Sequence, residues 1–256
     1  MSFSNIDAFA APPLWRNGPS PGAFYNFPNM QSKTSGFVEH SQSPVTTATS
    51  IVALTFKNGV IIAGDLLGSY GSLARFRNCP RILKINDNII LGAGGDYGDY
   101  QYVKDLIEQK IIDEECLDDG FNLKPKSLQC WLTRIMYNRR SRFDPFWNNF
   151  VVGGLQDGVP YLATVDKLGT AYEDKAICTG YGTHLALPII RDTLQKNPNL
   201  SEEEARALVV KCMEVLFYRD AHSYPKYQIG VVTEAGVKIE GLVDVNQKWD
   251  LAHMIH

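Results

Sequence analysis

Ala48-Thr49-Ser50-Ile51-Val52-Ala53-Leu54-Thr55-Phe56, followed by Lys57-Asn58-Gly59 and then Val60-Ile61-Ile62-Ala63-Gly64-Asp65, decides the fold. Two runs of β-branched and apolar residues flank an Asn-Gly corner, and Asn and Gly readily take the positive φ of a tight turn. A β-hairpin is therefore expected over Thr49 to Phe56 and Val60 to Asp65. Arg81 stands as far beyond Asp65 as Asp65 stands beyond Thr49.

Working outward, residues 1–44 differ from the rest. Pro12, Pro13, Pro19, Pro21, Pro28 and Pro44 interrupt a stretch of Ser, Asn, Gly and Phe with no sustained periodicity. An extended or disordered segment is expected there, either a removable leader or a flexible tail. Downstream of the hairpin, the runs Arg81 to Ile85 and Asn88 to Leu91 are expected to complete a first sheet. The stripes Val103, Leu106, Ile107, Ile111 and Leu128, Trp131, Leu132, Ile135, Met136 predict two helices, the second opened by Pro125.

Phe150 to Gly154, Tyr161 to Val165 and Ala171 to Cys178 predict a second antiparallel group. A helix kinked at Pro188 is expected from Thr183 to Gln195. Ser201 and Glu204 form a capping box before the stripe Ala205, Leu208, Val209, Cys212, Val215, Leu216. Tyr227 to Thr233 and Val237 to Glu240 read as closing strands. Strands, two helices, strands, two helices, strands is the order of an α+β protein with two sheets between two helical layers.

Composition narrows the function classes. With 256 residues, 45% of them hydrophobic, one large core is expected. Twenty-five basic against 28 acidic residues leave a formal charge of -3, so no basic surface marks a nucleic-acid or membrane partner. Five scattered cysteines without a CxxC pair suggest neither a disulfide framework nor a zinc site, and the five histidines lack metal-ligand spacing. No metal and no cofactor are expected.

The Thr49, Asp65 and Arg81 register and the order of elements resemble the β subunits of the 20S proteasome, which have the N-terminal-nucleophile (Ntn) hydrolase fold, a four-layer αββα sandwich. The resemblance runs from Thr49 to about Leu242. It is carried further by Gly68-Ser69-Tyr70-Gly71-Ser72-Leu73-Ala74-Arg75-Phe76-Arg77-Asn78, by Phe146-Trp147-Asn148-Asn149-Phe150-Val151-Val152-Gly153-Gly154, by Tyr218-Arg219-Asp220-Ala221-His222-Ser223-Tyr224 and by Trp249-Asp250-Leu251-Ala252-His253-Met254-Ile255.

Active members of that family attack an amide with the hydroxyl of an N-terminal threonine and use its α-amine, which titrates near pH 8, as the proton acceptor. The resemblance implies that Thr49, Asp65, Arg81, Gly95, Tyr181, Asp220 and Ser223 form the corresponding site, here vestigial. Active members carry glycine where Ala48 stands, lysine where Arg81 stands and serine where Tyr181 stands. A guanidinium stays charged and cannot join a proton relay. No catalytic residue is expected.

The resemblance further implies a leader over 1–40 cut between His40 and Ser41, an arm over 41–48, an Ntn-like domain over 49–241 and an extension over 242–256. Trp249, Leu251, Met254 and Ile255 would anchor that extension on the opposite β ring. The partners implied are the other α and β subunits of a 28-subunit, four-ring particle of cytoplasm and nucleus that serves ubiquitin-dependent degradation. Two rival readings are an active threonine endopeptidase using Thr49 and a nucleotide-binding α/β protein, the latter suggested by Gly92-Ala93-Gly94-Gly95-Asp96-Tyr97-Gly98.

Overall fold

The computed structural model describes residues 43–120 and 122–249. In chain order the strands and helices are β1 (Thr46–Ala48), β2 (Ile51–Phe56), β3 (Gly59–Asp65), β4 (Gly68–Tyr70), β5 (Leu73–Phe76), β6 (Ile82–Asn86), β7 (Ile89–Asp96), α1 (Tyr97–Glu115), α2 (Pro125–Ser141), β8 (Asn148–Gln156), β9 (Val159–Val165), β10 (Ala171–Glu173), β11 (Ala176–Cys178), α3 (Gly182–Leu185), α4 (Leu187–Lys196), α5 (Glu202–Arg219), β12 (Lys226–Thr233) and β13 (Gly236–Asp244). The strands form two antiparallel sheets. One runs β10-β9-β8-β7-β1-β4-β5, with β6 also paired to β7, and the other runs β11-β2-β3-β12-β13.

Period-two alternation sends successive side chains to opposite faces of a strand, and here both faces of the central strands are buried. On β2 and β3, Val52, Leu54, Phe56, Ile61 and Ala63 join a core with residues of α4 and α5. Ile51, Ala53, Val60 and Ile62 meet Ile90 and Val151 between the sheets. The far face of the other sheet, with Leu91, Phe150 and Val152, packs on Val103, Ile107, Leu128, Leu132 and Met136 of α1 and α2. The order of layers is helices, sheet, sheet, helices, as the sequence predicts.

Several expectations need correction. The runs after Arg81 and Asn88 do not complete a sheet with the first hairpin. β6 and β7 belong to the sheet of β8 and β9, while β2 and β3 pair with β11 and β12. Chain order cannot reveal this, because the chain changes sheets at Thr49–Ser50 and again at Leu66–Leu67.

The hairpin strand begins at Ile51 rather than Thr49. The run Ala171 to Cys178 is also two strands on different sheets, parted at Asp174 and Lys175, where the Lys175 carbonyl accepts from the Thr55 amide at 2.9 Å. The helix expected from Thr183 is broken at Ala186, with Pro188 in the first turn of α4. Proline has no N–H for the ladder and crowds the carbonyl four residues back, so it starts a helix more readily than it continues one.

The capping box of α5 is present: the Ser201 amide donates to the Glu204 carboxylate at 2.8 Å and the Glu204 amide to the Ser201 hydroxyl at 3.3 Å. The expected domain edge at residue 241 falls inside β13, which runs to Asp244, and Val245 is buried. The bond between His40 and Ser41, and the anchors Leu251, Met254 and Ile255, lie outside the described residues.

Candidate functional site

Thr49 and Ser50 occupy the step between the sheets, and Arg81 fills the space beneath that step. Its side chain is 1% exposed and donates to a ring of acceptors. Nε reaches the Asp65 carbonyl at 3.1 Å, and Nη1 reaches the carbonyls of Thr49 at 2.8 Å and Ala93 at 3.2 Å. Nη2 reaches the Thr49 hydroxyl at 3.1 Å, the Ser50 carbonyl at 3.4 Å and the Asp65 carboxylate at 2.5 Å. The planar fork of a guanidinium is suited to so many fixed acceptors, whereas an ammonium has three donors on one atom.

Burial pushes the Asp65 carboxyl above the ordinary carboxylate range. The Arg81 charge, contacts with the Thr49 and Arg81 side chains and the Leu67 amide all pull the other way. The result is a buried pair joining β3 and the start of β6 to the step at Thr49. It leaves no titratable amine beside the Thr49 hydroxyl among the described residues.

The residues before Thr49 are equally constrained. β1 lies between β4 and β7, with Ala48 opposite Gly68 and Gly95, and Thr47 opposite Ser69 and Asp96. Asp96 fixes this arm further, since its Oδ1 accepts from the Val45 amide at 3.2 Å and the Thr46 amide at 3.3 Å while its Oδ2 caps α1 at Asp99. The Thr49 nitrogen is thus an amide at the end of a strand paired on both edges, and an amide nitrogen offers no basic lone pair.

A cleft of about 280 Å³ opens beside Thr49, lined among others by Ala48, Ser50, Gly94, Gly95, Tyr181 and Asp220. Gly95 sits at φ +101°, and a Cβ there would come within 1.9 Å of the Trp147 carbonyl. The close passage of backbone that this glycine permits shapes the cleft. Tyr181 is 63% exposed on the rim.

Asp220 follows α5, and its carboxylate accepts from the His222 amide at 3.0 Å. Ser223 turns away from the cleft, its hydroxyl lying 2.7 Å from the Asp220 carbonyl and 2.9 Å from that of Phe217. Thr49, Asp65 and Arg81 therefore meet, Gly95, Tyr181 and Asp220 border the same cleft, and Ser223 finishes the end of α5. Trp249 packs on its own chain, 5.4 Å from the Tyr218 ring and 6.1 Å from that of Phe217, with 55% of its surface exposed.

Sequence reasoning missed Ser50 and Thr179, which lock the cleft floor. The Ile51 amide donates to the Thr179 hydroxyl at 2.9 Å, and the Gly182 amide donates to the Ser50 hydroxyl at 2.9 Å. It also missed β1, whose only local signal is the β-branched run Val45-Thr46-Thr47 after Pro44. Of the glycine-rich stretch, Gly92 to Asp96 lie in β7, antiparallel to β1, β6 and β8, and Tyr97 and Gly98 open α1, so the βαβ setting of a dinucleotide-binding turn is not formed. Among the described residues, no group of His, Cys, Asp and Glu is arranged to hold a metal ion.

Residues 45–232 match the family described as "Proteasome subunit". The chain is 52% identical to proteasome subunit beta type-4 of Xenopus laevis over 93% of its own length and 96% of the relative. It is 43% identical to the beta type-4 subunit of Drosophila melanogaster over 96% of both chains. Identity to proteasome subunit beta type-7 of Saccharomyces cerevisiae is 35%, over 83% of this chain and 84% of that one.

Proposed function

The chain belongs to the proteasome subunit family, with beta type-4 subunits among its relatives and the αββα sandwich of Ntn hydrolases as its fold, and from that premise we propose that it is a non-catalytic structural β subunit of the 20S core. Its role is to complete and stabilise a β ring, and through the ring to serve protein degradation. Its partners are the other α and β subunits of the four-ring particle, in cytoplasm and nucleus.

The observation that carries this reading is the pairing of Thr49 with Arg81. A hydroxyl that accepts from a permanently charged guanidinium has beside it a group that cannot take up a proton, where a proton relay needs a titratable one. The rest of the frame, Asp65 and the cleft walls included, retains the form of an active site while the proton chemistry is missing.

The test uses particles purified through a tag on this chain. We expect the mature subunit to begin upstream of Thr49 by intact mass, to carry no adduct after exposure to an epoxyketone, and to leave every peptidase activity of the particle unchanged when Thr49→Ala is introduced. A mature chain beginning at Thr49, or turnover lost with that substitution while the particle stays intact, would establish the active threonine endopeptidase instead.

A further inference from the structure

Asp220 is a buried carboxylate without a cation. The residue is 8% exposed, it lines the cleft beside Thr49, and it ends α5. Its Oδ1 accepts from the His222 amide at 3.0 Å, and its Oδ2 has no hydrogen-bond donor among the described residues. No lysine or arginine lines the cleft, and the buried guanidinium of Arg81 is committed to Asp65. The turn after α5 accounts for one oxygen of this side chain. It does not account for a carboxylate kept largely out of water, which is costly unless a positive group meets it.

The chemistry of the cleft selects the ligand. A metal ion needs several ligands around one centre, and among the described residues no group of His, Cys, Asp and Glu is arranged to hold one. A guanidinium is a planar fork that asks for paired acceptors, whereas an ammonium is a compact charge with three donors. Ser50 and Thr179 line the same cleft, and each hydroxyl oxygen accepts a backbone amide, from Gly182 and Ile51, which leaves it a second lone pair. The remaining wall includes the backbone of Gly94 and Gly95 and the ring of Tyr181, which stands exposed on the rim and whose face attracts a cation. A volume of about 280 Å³ admits a molecule of one ring rather than a folded partner.

We infer that this cleft is a binding site for a primary ammonium group on a short apolar stem, with Asp220 as its counter-ion and Tyr181 as its aromatic wall. The site goes beyond the ring role and does not depend on it. A free amine and the N-terminus of a short peptide share this chemistry, and the experiment tells them apart.

The experiment takes the full chain in the assembly from which it is purified and irradiates it with a benzylamine that bears a trifluoromethyl diazirine on its ring. We expect adducts on peptides of this chain that carry Tyr181 or Gly94 and Gly95, displaced by benzylamine with a dissociation constant of about 1 mM. Benzyl alcohol, which has the same shape without the charge, should compete at least about tenfold less well. Asp220→Asn keeps an oxygen for the His222 amide and removes the charge, and should lower the labelling at least about tenfold. Tyr181→Ala, on the exposed rim, should lower it about threefold. Phenylalanylglycine amide, set against its acetylated form, identifies the source of the ammonium. Competition by the free peptide assigns a peptide N-terminus, its failure while benzylamine competes assigns a free amine, and either result upholds the site.

Absence of adducts at the cleft, equal competition by benzyl alcohol, or undiminished labelling of Asp220→Asn overturns the inference. Should Asp220→Asn fail to fold, the comparison with benzyl alcohol and the Tyr181→Ala chain decide the question by themselves. None of these outcomes bears on the ring role.

Discussion

The guanidinium of Arg81 holds Thr49 at both ends, with Nη1 on its carbonyl at 2.8 Å and Nη2 on its hydroxyl at 3.1 Å. Because the same Nη2 also binds Asp65 at 2.5 Å, three chain segments far apart in sequence depend on one buried cation. Removing one member of such a pair leaves an uncompensated charge in the interior.

Asp65→Ala should therefore destabilise the folded subunit by about 3–5 kcal/mol, read as a shift in the denaturant midpoint. The double variant Asp65→Leu/Arg81→Met should recover only part of that loss, since it removes both charges but leaves the carbonyls of Thr49, Ser50, Asp65 and Ala93 without the guanidinium. A double variant as unstable as the single one would show that the pair's partners, rather than its charges, set the stability.

Arg81→Lys should weaken the structure and confer no activity. An ammonium cannot reach all the acceptors that the fork serves, and an unsatisfied buried carbonyl costs about 1–3 kcal/mol. Thr49 would still be in mid-chain behind β1, so an epoxyketone adduct on this variant would mean that the guanidinium alone had kept the hydroxyl silent.

Thr47→Pro should loosen the β4–β5 hairpin without unfolding the domain. Among the described residues β1 alone joins that hairpin to the rest of the sheet, and proline removes a donor from a strand with neighbours on both edges. Hydrogen exchange at Ser69, Tyr70 and Ala74 should rise by at least about tenfold, while exchange in β8 and β9 should hold steady.

The attachment of β13 to α5 should depend on pH. Arg206 grips Glu240 through two bonds of 2.5 and 2.6 Å, and this contact holds the Glu240 carboxyl below its ordinary value. Since the folded value lies under the unfolded one, the stabilisation is complete above about pH 4.5 and is lost as pH falls below it. Exchange of the β13 amides should quicken across that acidic window, and Glu240→Gln should abolish the change.

Cysteine reactivity offers a further check on the core. Burial pushes the thiols of Cys178 and Cys212 up to about 12, and raises that of Cys79, while Cys116 and Cys130 are exposed. Iodoacetamide should label Cys116 and Cys130 of the folded subunit, and the two core thiols only after denaturation.

The layers of the fold could be read from the chain because periodicity reports burial. The apolar runs at Ile51 and Val60, the stripes of α1 and α2 and the Ser201–Glu204 box each carry a local signature that the folded chain keeps. Sheet membership could not be read in that way. β1, β4 and β10 are three residues each, and their pairing is set by the layers around them rather than by their own sequence. The site shows the same division. Thr49, Asp65 and Arg81 stand out through their register, whereas Ser50, Thr179 and the tether at Asp96 emerge only once distant segments converge.

The position of β1 ties any release of Thr49 to the architecture of the sheet. Liberating Thr49 would require scission of the peptide bond at the end of the very strand that holds the outer hairpin in place. A chain cut there would gain a free amine at Thr49, and β1 would then keep its place only through its pairing with β4 and β7.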